Sequence, residues 1–171
     1  TGSRLFGTHP LTMRRDIRKA LYIIITSDKG LAGALNSAVL KGSSADMKAL
    51  GLSKETISII AVGRKAKDFF SKRGYEVVAY HENKDDAISH DLIRSLVDEA
   101  ANRFSMGAAD TVRVSYQSFI STFEQKPYVR SMLPLTLGEL TKVVHEIVPK
   151  KGQFSEIHNG IKAPADYVVE P

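Results

Sequence analysis

The stretch KALYIIITSDKGLAGALNS, residues 19–37, decides the fold, because an apolar run passes directly into a turn and then into a helix-forming segment. The run at 20–25 is continuous and rich in isoleucine, which is typical of a strand covered on both faces. From Gly33 to Leu50 the apolar residues Leu35, Val39, Met47 and Leu50 recur near helical spacing. We therefore predict a buried strand, a turn at 26–32 and a helix.

The same alternation continues along the chain. Residues 56–63 and 75–80 are predicted as two more strands, and the short helix between them, at 64–74, has Gly74 where a helix-ending residue belongs. A strand, helix, strand, helix, strand order predicts a parallel sheet with right-handed crossovers.

The next segment, 88–104, is the clearest amphipathic helix of the chain. Its apolar residues fall on two adjacent rows, Ile88, Leu92, Leu96, Ala100 and Phe104 on one, and Ile93, Val97 and Ala101 beside it. Two further strands follow, at 110–122 and 126–135, and so few residues join them that they form an antiparallel hairpin.

We therefore predict an α/β fold: a Rossmann-like, doubly wound, mostly parallel sheet of about five strands, with helices on both faces and an antiparallel final strand pair. The predicted domain spans residues 1–148. From Pro149 the sequence is rich in glycine, proline and charge without a period, so 149–171 is predicted as a loop-like tail.

Composition limits the function classes. The chain contains no cysteine, which excludes disulfides, thiolate catalysis and cysteine-ligated metals. The longest apolar run is far shorter than a membrane-spanning helix, so we expect no direct membrane insertion. A net charge of +5 indicates either an acidic partner, such as nucleic acid, an anionic membrane surface or another protein, or only a basic, soluble surface. Aromatic residues do not interleave with the basic clusters, so nucleic acid is the less favoured partner.

The turn at 26–36 contains an acid, a base and two glycines, and it suggests a phosphate site. A dinucleotide site needs a third glycine after the first strand and an acid after the second, but the second strand ends in the basic GRKAK. A phosphate-binding loop needs its lysine after the second glycine, whereas Lys29 precedes Gly30. The pattern favours a structural turn, in which Gly30 and Gly33 allow close strand–helix packing and Thr26, Ser27 and Asp28 cap the following helix.

Catalytic and metal sites find little support in the pattern. His81, Asp85 and His90 are the only grouping that suggests a metal, and they lack a recognised ligand spacing. Ser27 and Asp28 lack the nucleophile-elbow motif of a hydrolase. By contrast, Arg64, Lys65 and Lys67 open a helix, where its dipole disfavours cations by a few tenths of a kcal/mol each. We interpret them either as a solvated basic face or as a patch for an acidic neighbour.

Four blocks of the chain together resemble the γ subunit of F-type ATP synthase. They are ITSDKGLAGALNS, VGRKAKDFFSKRGYEVV, VSYQSFISTFEQKPYVRSMLPL and the closing DYVVEP. The first block is the most specific, since the family typically reads S-D-[RK]-G-L-C-G-G-[FL]-N. This chain departs from that pattern only at Ala32, in place of the usual cysteine, and at Ala34, in place of the second paired glycine.

The resemblance implies a non-catalytic rotor subunit, the central stalk that couples proton flow to ATP synthesis. It implies the α, β and ε subunits and the c-ring as partners, and no cofactor, metal or catalytic residue. It also implies a peripheral position on the cytoplasmic face of a bacterial inner membrane, or on the matrix side in a mitochondrion. Because no long heptad pattern flanks the domain, we expect this chain to be the globular domain without the family's terminal coiled-coil helices.

Two sets of residues are expected to face those partners. They are Lys29, Gly30, Leu31 and Asn36 in the turn, and Arg64, Lys65 and Lys67 at the helix start. The competing hypothesis is a small phosphate- or nucleotide-binding α/β enzyme with the turn as its anion site.

Overall fold

The computed structural model describes residues 8–29, 33–84, 88–121, 124–136 and 138–139. Within these ranges, strands and helices alternate as β1 (Ala20–Ile25), α1 (Gly33–Leu50), β2 (Ile57–Val62), α2 (Arg64–Ser71), β3 (Glu76–His81), α3 (His90–Ser105), β4 (Thr111–Ser121) and β5 (Glu124–Leu133). The chain divides into two compact units, Thr1–Pro134 and Leu135–Pro171. All the elements above lie in the first unit.

The five strands form one sheet in the order β3-β2-β1-β4-β5. β1 lies at the centre and runs parallel to β2 and β4, so that Ile23 is paired with Ile60 on one side and with Val114 on the other. β3 is parallel to β2, and β5 is antiparallel to β4. The predicted α/β fold, with its mostly parallel sheet and antiparallel final pair, is confirmed.

The strand order distributes the helices over two faces. The connections from β1 to β2 and from β2 to β3 progress in one direction across the sheet, whereas the connection from β3 crosses back to β4. Because these crossovers are right-handed, α1 and α2 lie on one face of the sheet and α3 lies on the other. Residues alternate accordingly along β1: Tyr22 and Ile24 pack in one core cluster with residues of α1 and α2. Leu21 and Ile23 are equally buried but point to the opposite face.

The helix α2 ends as predicted at Gly74. The glycine has a φ of 81°, its N–H donates to the carbonyl of Ser71, and the N–H of Tyr75 donates to the carbonyl of Phe70. This pair of bonds is a Schellman motif, which places a left-handed residue just beyond the helix. The chain can therefore turn at once from α2 into β3.

The helix α3 buries only one of its two predicted apolar rows. Leu96, Ala100 and Phe104 are buried, whereas Ile93 and Val97 remain 46% and 45% exposed. The second row is rotated by about 100° from the first, and the described part of the chain packs against the first row only. Among the described residues, no helix combines the length and apolar character needed to cross a bilayer.

The predicted domain boundary at 148 and the predicted tail at 149–171 lie outside the described residues and stay predictions. In the second unit, the N–H of Glu139 donates to the hydroxyl of Thr136 at 3.2 Å.

Candidate functional site

The turn after β1 joins three strand ends through Thr26. Its N–H donates to the carbonyl of Val62 at 2.8 Å, and its own carbonyl accepts from the side-chain amide of Asn83 at 2.9 Å. Its hydroxyl accepts from the N–H of Ala66, in the first turn of α2, at 3.0 Å. With 4% of its surface exposed, Thr26 ties β1 to the ends of β2 and β3 and caps α2.

Asp28 completes this arrangement with its two carboxylate oxygens. One accepts from the N–H of Arg64, the first residue of α2, at 2.6 Å, and the other accepts from the N–H of Asn83 at 3.0 Å. The carboxylate is 8% exposed and is placed at the positive end of the α2 dipole, where a negative charge is stabilising. Thr26 and Asp28 therefore cap α2, and the prediction that they cap the helix directly after the turn is wrong.

Gly63, between β2 and α2, is the residue that lets this network close. Its φ is 95°, and a Cβ atom built there would lie 2.0 Å from the carbonyl oxygen of Thr26. Its N–H donates to the carbonyl of His81 at 2.8 Å. The close approach expected at Gly33 is instead made here, since a Cβ at Gly33 would meet no atom within 4 Å. Gly30 lies outside the described residues.

The remaining polar residues of the turn bond to each other. The amide oxygen of Asn36 accepts from the N–H of Ser27 at 3.1 Å, and its amide nitrogen donates to the Ser27 hydroxyl at 2.8 Å. That hydroxyl donates to the carbonyl of Lys29 at 2.9 Å. Asn36 is 7% exposed, so its side chain holds the turn against α1 and is not presented at the surface.

These bonds bear directly on the phosphate hypothesis. An anion at a helix N-terminus needs free backbone N–H groups, but at α2 those of Arg64 and Ala66 already donate to Asp28 and Thr26. An incoming phosphate would also meet the Asp28 carboxylate, which repels it. The start of α2 is therefore not open to a phosphate, whereas the start of α1 follows residues 30–32, which lie outside the described residues. In the described ranges, no three His, Asp or Glu side chains gather as a metal site would require.

The predicted contact residues divide into exposed and unexposed ones. Lys29, Arg64, Lys65 and Lys67 are exposed, and the ammonium group of Lys67 lies 4.5 Å from the ring centroid of Tyr80. Asn36 is buried, as described above. Gly30 and Leu31 lie outside the described residues.

A groove of about 380 Å³ lies beside these cations, between the start of α1 and the length of α2. Leu40 of α1 and Phe69 of α2 contribute its apolar surface, and Lys65, Lys72 and Arg73 contribute cationic side chains. Lys72 and Arg73 were not among the predicted contact residues, which at this helix were confined to its start. Their spacing from Lys65 on one helix was the available signal.

Beneath the same helix layer, a different cation forms an ion pair within the domain. Arg113 of β4 contacts Asp46 of α1 with both Nη2 and Nε, at 2.8 and 2.6 Å. The Tyr22 hydroxyl donates to the same carboxylate at 2.6 Å. Burial, together with the bond to Asp46, raises the pKa of the Tyr22 hydroxyl, so it remains a donor. This cluster fastens α1 to β1 and β4.

The fold and the turn together define a Rossmann-like domain in which Thr26 and Asp28, in the turn after β1, cap the neighbouring helix α2. A family model described as ATP synthase matches residues 2–171, and the chain belongs to this family. A protein named ATP synthase gamma chain from Staphylococcus saprophyticus is 33% identical over 155 residues, covering 88% of this chain and 54% of the relative. One from Pelotomaculum thermopropionicum is 33% identical over 146 residues, covering 83% and 50%.

Solved structures share the fold. The rotor of the Euglena gracilis mitochondrial ATP synthase superimposes with a TM-score of 0.52 at 20% identity, over 78% of this chain and 47% of that one. A central stalk and c-ring structure of the Tetrahymena thermophila enzyme gives 0.52 at 16% identity, over 84% and 62%. The chain spans about half the length of the named relatives, since it covers 54% and 50% of the two above.

Proposed function

We propose that this chain is the globular domain of a γ subunit in the central stalk of an ATP synthase, where it serves as a non-catalytic rotor part. The family match and the γ-chain relatives support this proposal. One structural observation supports the non-catalytic role most strongly. The acceptors that cap α2 belong to the domain itself, so two N–H groups at the start of α2 are not free to bind a phosphate.

We further propose the α, β and ε subunits and the c-ring as partners, by analogy with the rotor and c-ring structures that share the fold. In that assembly the domain would be peripheral to the membrane, on the cytoplasmic face in a bacterium or on the matrix side in a mitochondrion. The exposed cations Lys29, Arg64, Lys65 and Lys67 are the residues proposed to face these partners. Cations at a helix start are mildly unfavourable by themselves, which supports a role in binding acidic neighbours.

The test is charge reversal in the complete subunit. Changing Arg64, Lys65 and Lys67 to glutamate should weaken assembly or coupling, because complementary charges set association and register. Proton-driven ATP synthesis by membranes that carry the variant is the measurement. A matched triple reversal at the exposed residues Arg94, Lys41 and Lys48, outside the proposed patch, serves as the control. Normal coupled synthesis by the first variant would contradict the proposed contact.

The competing enzyme hypothesis is tested on the chain itself. Calorimetric titration with ATP, NAD and inorganic phosphate should give no saturable heat, because the turn lacks the order of glycines and lysine that a nucleotide-binding loop needs, and Thr26 and Asp28 occupy two donors at the start of α2. Saturable micromolar binding that perturbs the amide signals of the turn would favour the enzyme.

A further inference from the structure

The groove between α1 and α2 combines an apolar floor with a cationic rim. On the floor, Leu40 is 7% exposed and Phe69 is half-buried. Lys65 stands at one end of the groove, and Lys72 and Arg73 stand at the other. Asp68 is the only acid among the residues that line it.

None of the rim cations forms an ion pair within the described part of the chain, although Asp68 lies in the same groove, three residues after Lys65 and four before Lys72. The ion pairs in that part of the chain involve Lys84, Arg103 and Arg113, not the cations of the groove. The guanidinium of Arg73 stacks on the Phe69 ring, 3.5 Å from its centroid, and donates to the Phe69 carbonyl at 2.9 Å. Arg73 is therefore held at the end of the groove and forms no ion pair with a described residue.

The helix α1 adds to this positive field. The N-terminal end of α1 borders the groove through Gly33 and Ser37, and its first turn contains no acidic residue. An 18-residue helix carries partial positive charge at that end. The groove thus faces its occupant with two helix-borne ammonium groups, one guanidinium and a helix N-terminus.

We propose that this groove docks a helical, acidic segment of a partner protein. Lys65 and Lys72 are seven residues apart, which places their backbones roughly 10 Å apart along α2. Two carboxylates seven residues apart on a docked helix have the same separation, and an apolar side chain midway between them would then contact Leu40 and Phe69. The inference rests on the proposed function only in assuming that a partner subunit is present. The acidic and helical character of that partner is inferred from the residues of the groove alone.

The apolar floor distinguishes this occupant from other polyanions. A lipid headgroup or a nucleic acid backbone supplies phosphate charge but no aliphatic side chain between two charges. Stacking of a base on Phe69 is obstructed because Arg73 already covers that ring. A groove between two helices is also the surface into which the side-chain ridge of a third helix packs.

The test uses the 171-residue chain and labelled peptides of about 16 residues, a length at which alanine-rich sequences form helix. The probe carries glutamates seven residues apart with leucines midway between them, and binding is followed by fluorescence anisotropy. A second peptide of the same composition has its leucines on the opposite face. We expect the first peptide to bind at least about tenfold more tightly.

Three variants locate the binding. Lys65→Glu with Lys72→Glu should weaken it at least about tenfold, whereas Lys41→Glu with Lys48→Glu, an equal charge change at exposed sites of α1 outside the groove, should weaken it less than about threefold. Ser37→Trp fills the groove without changing charge and should also weaken binding. Far-UV circular dichroism confirms that each variant is folded.

Three results would overturn the inference. The first is equal weakening by the two charge-reversal pairs, which would mean diffuse attraction. The second is the absence of saturable probe binding below about 1 mM. The third is a preference, sensitive to Lys65 and Lys72, for vesicles of anionic lipid or for duplex DNA over the peptide. None of these results bears on assembly into a rotor, so the proposed function would stand or fall separately.

Discussion

The polar groups at the start of α2 and the cations along its exposed side differ in where their bonding partners lie. At its start, Thr26 and Asp28 are buried, and their side chains bond to backbone groups of the same domain. Along its exposed side, Lys65 and Lys72 form no ion pair within the described part of the chain. Polar groups that are satisfied internally build the fold, whereas those left unsatisfied at the surface are available to a partner.

The turn after β1 therefore supports the fold, and the groove beside α2 is the proposed interaction surface. The difference lies in desolvation: removing Asp28 from water is compensated by two N–H donors, while the lysines keep their hydration until something covers them. Substitutions in the turn should consequently change the stability of the domain, whereas substitutions in the groove should change binding.

The largest effect is expected at Gly63. Gly63→Ala should lower the free energy of unfolding by roughly 3–5 kcal/mol, because the new Cβ would lie 2.0 Å from the Thr26 carbonyl oxygen at a φ of 95°. Gly51→Ala is the control, since Gly51 also has positive φ, 67°, but its Cβ would meet no atom within 4 Å. The control should cost only about 1 kcal/mol. Equal losses of unfolding free energy for the two variants in urea denaturation would show that the close approach of Gly63 to Thr26 is unimportant.

A smaller loss is expected at Asp28. Asp28→Ala removes the acceptor for the N–H groups of Arg64 and Asn83, and should cost about 2–3 kcal/mol because one partly buried and one buried donor are left unpaired. Asp68→Ala, an exposed acid on the same helix, should change stability by less than about 0.5 kcal/mol. Thermal unfolding monitored by circular dichroism measures both. Similar melting temperatures for the two variants would contradict the capping role.

Removing the Arg113 cation beneath α1 should lower the free energy of unfolding by about 2 kcal/mol. Arg113→Met leaves the Asp46 carboxylate without its cationic partner, and a partly buried charge is costly when unpaired. The double variant with Asp46→Leu should recover part of this loss, which a double-mutant cycle in urea would quantify. Strict additivity of the two single losses would mean that the pair does not couple β4 to α1.

The smallest effect on stability is expected in the groove. Lys65→Glu with Lys72→Glu should change the free energy of unfolding by less than about 0.5 kcal/mol, since both side chains are exposed and a gain at the helix start offsets a loss at its end. The same urea measurement applies. A loss comparable to that of Asp28→Ala would make the groove part of the architecture and would break the contrast between the two regions.

Much of the fold was predictable because its signals are local. The apolar runs of β1 and β2, the period of α1 and the glycine that ends α2 each depend on neighbours within a few residues. The short interval between β4 and β5 likewise specified their antiparallel pairing. The exposed row of α3, Ile93 and Val97, was less predictable, because helical periodicity shows which residues are apolar but not how wide a face its neighbours cover.

The candidate site was predictable only in part. Pattern analysis identified the turn as structural and the basic helix start as exposed, but it assigned the caps to the wrong helix. Asn83 was overlooked within a polar stretch, although it follows β3 at the edge where the carboxyl ends of parallel strands meet. Gly63 was treated as the end of a strand, because nothing in its neighbours shows that Thr26 lies against it.

The sequence by itself determined the strands, the helices, the family of the chain and the absence of thiol chemistry, because these depend on residue type and short-range spacing. The tertiary structure alone decided that Asp28 caps α2 across 36 residues of chain, which is the sequence separation of its bond to Arg64. It also decided that Lys65, Lys72 and Leu40 share one groove. Both depend on which strand ends and helices pack together, and long-range packing sets that arrangement.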